Sequence, residues 1–211
     1  MAHGTTTQLT QFNLKSILSV PGIYRFLQYA IAGSAGYEGF VDQYVRPQAG
    51  DRILDIGCGP GDIVTYLDDV NYIGFDENPQ YIESAKDRFG DRATFYCSKV
   101  SNSTLEENAS FDIVLAVAIL HHLDDVEALQ LCQLAGAALK PGGRFISLDA
   151  CYTPDQSPLA KLIISQDRGQ YVRNRESYLR IVSQVFPNIH VSIRHDRLRI
   201  PYTHVILECC R

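Results

Sequence analysis

The order of apolar and polar positions divides the chain into a helical lead and an alternating body. In FNLKSILSVPGIYRFLQYAIAG, residues 12–33, Ile23, Phe26, Leu27 and Ala30 recur at helical spacing and form one apolar stripe. Pro21–Gly22 breaks this stretch into two helical pieces, and a third, GYEGFVDQYVRP, ends at Pro47. From residue 51 the pattern changes. DRILDI (51–56), NYIGF (71–75), Ala93–Cys97, FDIVLAV (111–117) and Arg144–Leu148 are short apolar runs with little alternation. Such runs read as strands buried on both faces. Helices are predicted between them over Gly61–Asp68, from Pro79 to about Phe89 with Asn78 as the cap, and over Asp124–Leu139. LKPGG, Leu139–Gly143, reads as a stop before the fifth strand.

The rhythm breaks over residues 151–170, CYTPDQSPLAKLIISQDRGQ, where two prolines and a DRG turn predict a loop or short helices. A helix follows over Glu176–Phe186, then two strand candidates, Ile189–Arg194 and Thr203–Glu208. HDRLRIP between them is long enough for an antiparallel return. Strands that each lead into a helix define an α/β chain. The expected architecture is a Rossmann-like, mostly parallel seven-stranded sheet with helices on both faces. A helical cap is expected over residues 1–48, a core over 49–211, and an insertion after the fifth strand at about 151–180.

Length and composition narrow the partners. The 211 residues suit one domain with some elaboration, and 45% hydrophobic with 20% charged residues is an ordinary globular profile. The net charge of -5 gives no general reason to expect nucleic acid or a membrane as partner. The charge is uneven: residues 1–150 carry ten Lys/Arg against nineteen Asp/Glu, residues 151–200 eight against four. The later region is therefore where an anionic group would be met. Six scattered cysteines without a CxxC suit a reducing compartment. The first residues show no basic region followed by an apolar core, and no run approaches 18 apolar residues. The expected location is cytoplasmic.

The chemistry centres on LDIGCGPGD, Leu54–Asp62, which follows a strand and is expected to open a helix. Gly57, Gly59 and Gly61 allow backbone angles and close approaches that a β-carbon blocks, so a ligand can lie against bare backbone. A dinucleotide would place its pyrophosphate over G-x-G-x-x-G. Here the spacing is G-x-G-x-G with Asp62 directly after it, and an acid at that turn repels a diphosphate. Asp55, two residues before the first glycine, suits a cationic group. Asp76 closes the second strand twenty-one residues after Asp55 and can accept from both hydroxyls of a ribose. An adenosine-bearing ligand with a cationic centre meets these requirements, and S-adenosylmethionine is one.

With those residues in view, the chain resembles the class I S-adenosylmethionine-dependent methyltransferases of the small-molecule, methyltransferase domain 11-like type. The resemblance is carried by residues 50–150. It implies that Asp55-Ile56-Gly57-Cys58-Gly59-Pro60-Gly61 wraps the methionine part of the cofactor and that Asp76 holds the ribose, with Glu77 beside it. It implies that Phe111-Asp112-Ile113-Val114 leads into a loop, Ala118-Ile119-Leu120-His121-His122-Leu123, flanking cofactor and substrate. The chain departs from the family after the third strand. Tyr96-Cys97-Ser98-Lys99-Val100 stands where many members carry Gly-Asp, which leaves Ser98 or Cys97 and the backbone to meet the adenine. The product would be S-adenosylhomocysteine.

A sulfonium methyl is already electrophilic, so alignment and exclusion of water do most of the work, and a base is needed only for a weak nucleophile such as a hydroxyl. His121 and His122, just after the fourth strand, are the catalytic candidates. Asp124 and Asp125 beside them are read as helix caps, and no metal is expected. Substrate contacts are expected from Tyr24, Arg25, Tyr29 and Tyr37 in the lead and from Arg168, Tyr171, Arg173 and Arg175 after the fifth strand. An arginine from 168–175 is expected to face the cleft. The expected acceptor is a small molecule, anionic or aromatic, methylated on oxygen or nitrogen by a monomer or homodimer. Three other readings share parts of this pattern. An RNA or protein methyltransferase would use the same fold. A nicotinamide dehydrogenase is disfavoured by the glycine spacing. A non-catalytic cofactor-binding subunit would have the cleft closed above the methyl.

Overall fold

The computed structural model describes residues 35–100, 110–166 and 169–211. The first two helical pieces of the lead, with Tyr24, Arg25 and Tyr29, and Arg168 in the insertion lie outside the described residues. The chain enters as α1 (Ala35–Phe40), which runs directly into a π-helical turn, Val41–Val45. Arg46, at φ 44°, ends it in the left-handed region. The carbonyls this end leaves over are taken by Arg144, which donates to Tyr44 O at 3.0 Å and Val45 O at 2.5 Å.

The sheet follows the expected alternation. Its strands are β1 (Arg52–Ile56), β2 (Asn71–Asp76), β3 (Ala93–Cys97), β4 (Phe111–Val117), β5 (Leu139–Tyr152), β6 (Arg173–Asn174), β7 (Asn188–Arg194) and β8 (His204–Cys210). The order is β3-β2-β1-β4-β5-β8-β7, with the two-residue β6 paired to β5 off this path. β1 to β5 are parallel, and β8 runs antiparallel to both β5 and β7. The helices are α2 (Pro79–Phe89), α3 (Asp125–Ala138), α4 (Pro158–Ser165) and α5 (Arg175–Val182). Their starts are set chemically. Asn78 accepts from Gln80 N and Tyr81 N ahead of Pro79. Asp124 and Glu127 form a reciprocal capping box before α3.

Strand parity divides the core in two. Leu54, Ile56, Val114, Ala116, Phe145, Val205 and Leu207 face α3 and α5, where Cys132, Tyr178 and Val182 are buried. Ile53, Ile113, Leu115, Ile146 and Ile206 face α1 and α2, against Phe40, Ile82 and Ala85. Both faces being covered is why these strands lack the alternation of a half-exposed sheet. Among the described residues no helix is long and apolar enough to cross a membrane.

Two expected boundaries are corrected. The helix expected over Gly61–Asp68 is a single 3-10 turn, Asp62–Tyr66, ended by extended Leu67. Its β-branched run Ile63-Val64-Thr65 loses side-chain freedom in a longer helix, and Leu67 N already turns back to Val64 O. The stop expected at LKPGG lies inside β5: Leu139 pairs with Phe111, the ladder bulges, and it resumes at Ile113–Arg144, with Gly142 at φ 78°.

Candidate active site

β1 lies between β2 and β4, so the strand order reverses there, and the crevice beyond the carboxyl ends of β1 and β4 is where an open α/β sheet takes its ligand. The glycine turn sits at that place. Gly57, Gly59 and Gly61 all take positive φ, at 76°, 54° and 72°. The turn is clamped to the end of β2. Gly57 N and Cys58 N both donate to Phe75 O, at 2.8 and 3.0 Å. Gly59 N donates to Asp76 Oδ2 at 2.9 Å, and Asn78 N donates to Asp76 Oδ1 at 2.8 Å. Each Asp76 oxygen thus carries one N–H and keeps acceptor capacity for a hydroxyl. Burial raises the Asp76 pKa above the usual carboxylate value, against these two hydrogen bonds.

Asp55 shares the parity of Ile53 and is buried, only 2% exposed. Its Oδ2 accepts from Tyr72 OH at 2.6 Å, while Oδ1 has no hydrogen-bond partner among the described residues. Burial pushes its carboxyl up to about 7; the Tyr72 hydrogen bond opposes this and the Asp76 charge adds to it. Asp55 lines a cleft together with Tyr37, Gly57, Cys58, Gly59 and Ala118. Leaving a buried carboxylate oxygen unsatisfied costs free energy, which a cation or donor in the cleft would recover.

Asp62 is placed differently from the sequence expectation. Arg88 pairs with its Oδ1 at 2.6 Å and also donates to Pro60 O. The acid is therefore compensated and belongs to the frame of the turn, so Asp55 alone carries the argument for a cationic ligand.

The opposite wall is the end of β4. Ala118, at φ 57°, is a non-glycine residue held in the left-handed region, with its N–H donating to Leu148 O at 2.7 Å. Such conformations cost about 1–3 kcal/mol and gather at functional sites. This twist lays Ile119 against the turn: a β-carbon at Gly57 would come within 2.8 Å of Ile119 Cδ1. Glu77 is exposed and Ser98 half-buried.

Two residues beyond Ala118, a 3-10 turn, Leu120–His122, carries the two histidines. His121 is buried, and its Nδ1 lies 2.8 Å from Asp149 Oδ1, the same oxygen that accepts from its backbone N–H at 3.2 Å. His122 is exposed, with its ring centroid 4.2 Å from that of His121. The segment before β6 passes over this turn. Tyr171 N donates to His121 O at 3.0 Å, and a β-carbon on Gly169 would meet His121 Cδ2 at 2.2 Å.

Arg173 does not present its guanidinium as a substrate contact. It is 7% exposed and donates to Leu120 O, Leu123 O and Tyr171 O, with Nε on Asp125 Oδ1 at 2.8 Å. Its charge is spent on carbonyls of the His121 turn and the strap above it. Arg175 lies 3.9 Å from Glu176 at the surface. Tyr171 is 42% exposed, and Tyr37, stacked on Tyr66 at 6.4 Å, stands at the cleft wall.

Two residues go beyond the sequence candidates. Tyr72 fixes Asp55, and its only signal was a polar tip on a buried strand. Asp149, fully buried, interrupts the apolar run of β5, which was the available sign of a polar task.

The glycines differ in what a side chain would meet, which separates ligand effects from folding effects. A β-carbon on Gly59 would have nothing within 4 Å, whereas one on Gly61 would press on Phe95 at 3.0 Å. Gly59→Ala is expected to lose about 1 kcal/mol of stability from its left-handed φ and at least tenfold in cofactor affinity. Gly61→Ala is expected to lose more stability. Thermal melts and calorimetric titration of both variants check this.

The geometry fits a ligand with a hydroxyl-bearing end at Asp76 and a cationic centre near Asp55. Residues 53–143 match the family model described as Methyltransferase domain. Over 120 residues the chain is 33% identical to 27-O-demethylrifamycin SV methyltransferase of Amycolatopsis mediterranei, covering 53% of this chain and 43% of that protein. It is 35% identical over 108 residues to ubiquinone biosynthesis O-methyltransferase of Methylocella silvestris, covering 48% and 41%. The solved structure of Haemonchus contortus phosphoethanolamine N-methyltransferase 2 with S-adenosyl-L-methionine superposes with a TM-score of 0.72 at 19% identity, covering 96% of this chain and 58% of that one. The matched stretch spans under half the length of these curated relatives. Residues 53–143 thus carry a methyltransferase domain, on the fold of the class I S-adenosylmethionine-dependent methyltransferases, whose cofactor is S-adenosylmethionine.

Proposed function

We propose that the protein transfers a methyl group from S-adenosylmethionine to an oxygen or nitrogen of a small molecule, with anionic or aromatic metabolites as the acceptor class. The observation that carries this reading is the buried Asp55 oxygen, unpartnered among the described residues, at a cleft walled by a glycine-rich turn. When bound, the cofactor would supply an electrophilic sulfonium methyl for the acceptor's lone pair and would leave as S-adenosylhomocysteine.

The chain's own residues do the rest. Asp55 meets positive charge on the methionyl portion. Asp76 accepts from the ribose, with Glu77 beside it, and Ser98 stands near the adenine. Gly57, Gly59 and Ala118 let backbone close around the ligand and exclude water. His121 takes the acceptor's proton. The segment ahead of β1 and the insertion after β5 select the acceptor, with Tyr37 and Tyr171 as contacts. Names of curated relatives that specify O-methylation support oxygen as the acceptor atom.

Calorimetric titration with S-adenosylmethionine, S-adenosylhomocysteine and NAD in parallel tests this. Micromolar binding of the first two without the third is expected. Binding of NAD alone would overturn the reading and return the glycine turn to a dinucleotide.

A further inference from the structure

We propose that Arg197, on the loop joining β7 to β8, is a positioning residue for the cofactor cleft: it grips the peptide group that carries Tyr37 and so holds one wall of the cleft in place. This rests on the methyl-transfer reading of that cleft.

α1 cannot hold itself. It has six residues, AGYEGF, and two of them are Gly36 and Gly39. A helix that short is marginal without tertiary support, and glycine weakens it further. Yet α1 sets Tyr37 at the wall of the cleft that Asp55, Gly57 and Ala118 also line. Tyr66, in the turn after the glycines, stacks on the Tyr37 ring. The backbone beneath that ring is held from the β7–β8 loop.

β8 runs antiparallel to both β5 and β7, so β7 ends on the same sheet edge as β5. Residues 195–203, between β7 and β8, therefore lie on the carboxyl edge, where the glycine turn sits. Arg194, at the foot of this loop, is fixed by Asp196, Nε on Oδ1 and Nη2 on Oδ2, both at 2.8 Å. Its Nη1 donates to Tyr44 Oη at 3.1 Å and Gln43 Oε1 at 3.2 Å. Leu198 seats the loop on the cluster of Ala150, Ile164 and Tyr202. Between these anchors Arg197 reaches α1. Its Nη2 donates to Gly36 O, the carbonyl of the peptide bond to Tyr37, and its guanidinium carbon stands 5.4 Å from the centroid of the Phe40 ring. Phe40 is fully buried one turn further on, so a single side chain spans the helix. The Tyr37 phenol is close enough to act on both Arg197 and Tyr72, the donor to Asp55.

The consequence is that cleft affinity depends on a loop that follows the glycine turn by well over a hundred residues. Without the Arg197 grip, Tyr37 loses its fixed place, and a ligand must order it on binding, which costs affinity. The effect of Arg197 passes through Tyr37 and disappears when that side chain is removed.

Arg197→Met, Tyr37→Ala and the double variant are titrated calorimetrically with S-adenosylhomocysteine. Amide hydrogen exchange of the ligand-free proteins is followed over residues 36–45, with β1 and β4 as reference. Arg197→Met is expected to raise the Kd about tenfold when Tyr37 is present and less than about twofold in Tyr37→Ala. It is expected to speed exchange over 36–45 about tenfold against an unchanged β1 and β4. Arg197→Lys keeps the charge and loses the planar fork, so it should fall between, and it gives the reading if the methionine variant does not fold. An equal rise in Kd in both Tyr37 backgrounds would overturn the proposal, because Arg197 would then act on the ligand by itself. Unchanged exchange over 36–45 in the Arg197 variants would overturn it as well. If the unsubstituted protein does not bind S-adenosylhomocysteine, the methyl-transfer reading fails, and the exchange result alone decides whether Arg197 holds α1.

Discussion

Asp55→Asn is expected to weaken S-adenosylmethionine binding by roughly 30- to 1000-fold, about 2–4 kcal/mol, and to make the ligand-free protein more stable. Both effects have one source. Asp55 is buried with one oxygen on Tyr72 and the other unpartnered, and its carboxyl is raised to about 7. In the unfolded chain it titrates near 3.8. Between these values the unfolded chain has lost the proton and the folded one has kept it. The folded state binds more protons, so stability falls as pH rises from about 4 to about 7 and is level above. The size is on the order of 4 kcal/mol. Asparagine removes that fall while still offering an oxygen to Tyr72. The melting temperature of Asp55→Asn minus that of the unsubstituted protein should therefore grow across pH 4–7. Cofactor affinity should run the opposite way, tightening as pH rises towards 7, because a cationic ligand pairs with the ionised acid. Asp76 and Cys58 are the other groups facing Asp55. Asp76→Asn would remove the ribose contact without removing that pH window. A variant Kd within threefold of the original would show that Asp55 is a structural acid.

This acid also shows how much of the site is legible in the sequence. Asp55, the glycines and Asp76 are readable because their roles are local. A glycine forced into positive φ and an acid closing a strand leave marks in the one-dimensional pattern. The strands are readable because both sheet faces are covered, and period-2 burial on two faces becomes a continuous apolar run. What distance decides is not readable. Asp62 looks like an open charge at a helix end until Arg88, twenty-six residues on, is seen to neutralise it. Asp149 is a lone acid after an apolar run until the β4–β5 pairing brings it beside His121. LKPGG does mark the end of helix α3, but strand pairing absorbs it into β5 as a bulge.

Arg173 is the sharpest case, because the same residue supports opposite expectations at the two levels. From sequence it is a cation in a basic, loop-rich insertion and a natural clamp for an anionic acceptor. In the fold its guanidinium is buried over Tyr178, with its centre 5.7 Å from the ring centroid, and knits Leu120, Leu123 and Tyr171 together. Arg173→Met fills a similar volume but removes every donor from those carbonyls. The loss of charged hydrogen bonds in a buried setting is expected to cost about 3–5 kcal/mol, a fall in melting temperature of roughly 6–20 °C at this chain length. Arg173→Lys keeps the charge and loses the fork, so it should recover only part. Asp125→Asn should cost little, since the Asp125 side chain is 76% exposed. The order Met, Lys, then Asp125→Asn in thermal melts is the signature of a residue that ties the His121 turn to the strap above it. If Arg173→Met instead melts like the original protein and raises only the acceptor KM, the guanidinium belongs to the substrate after all.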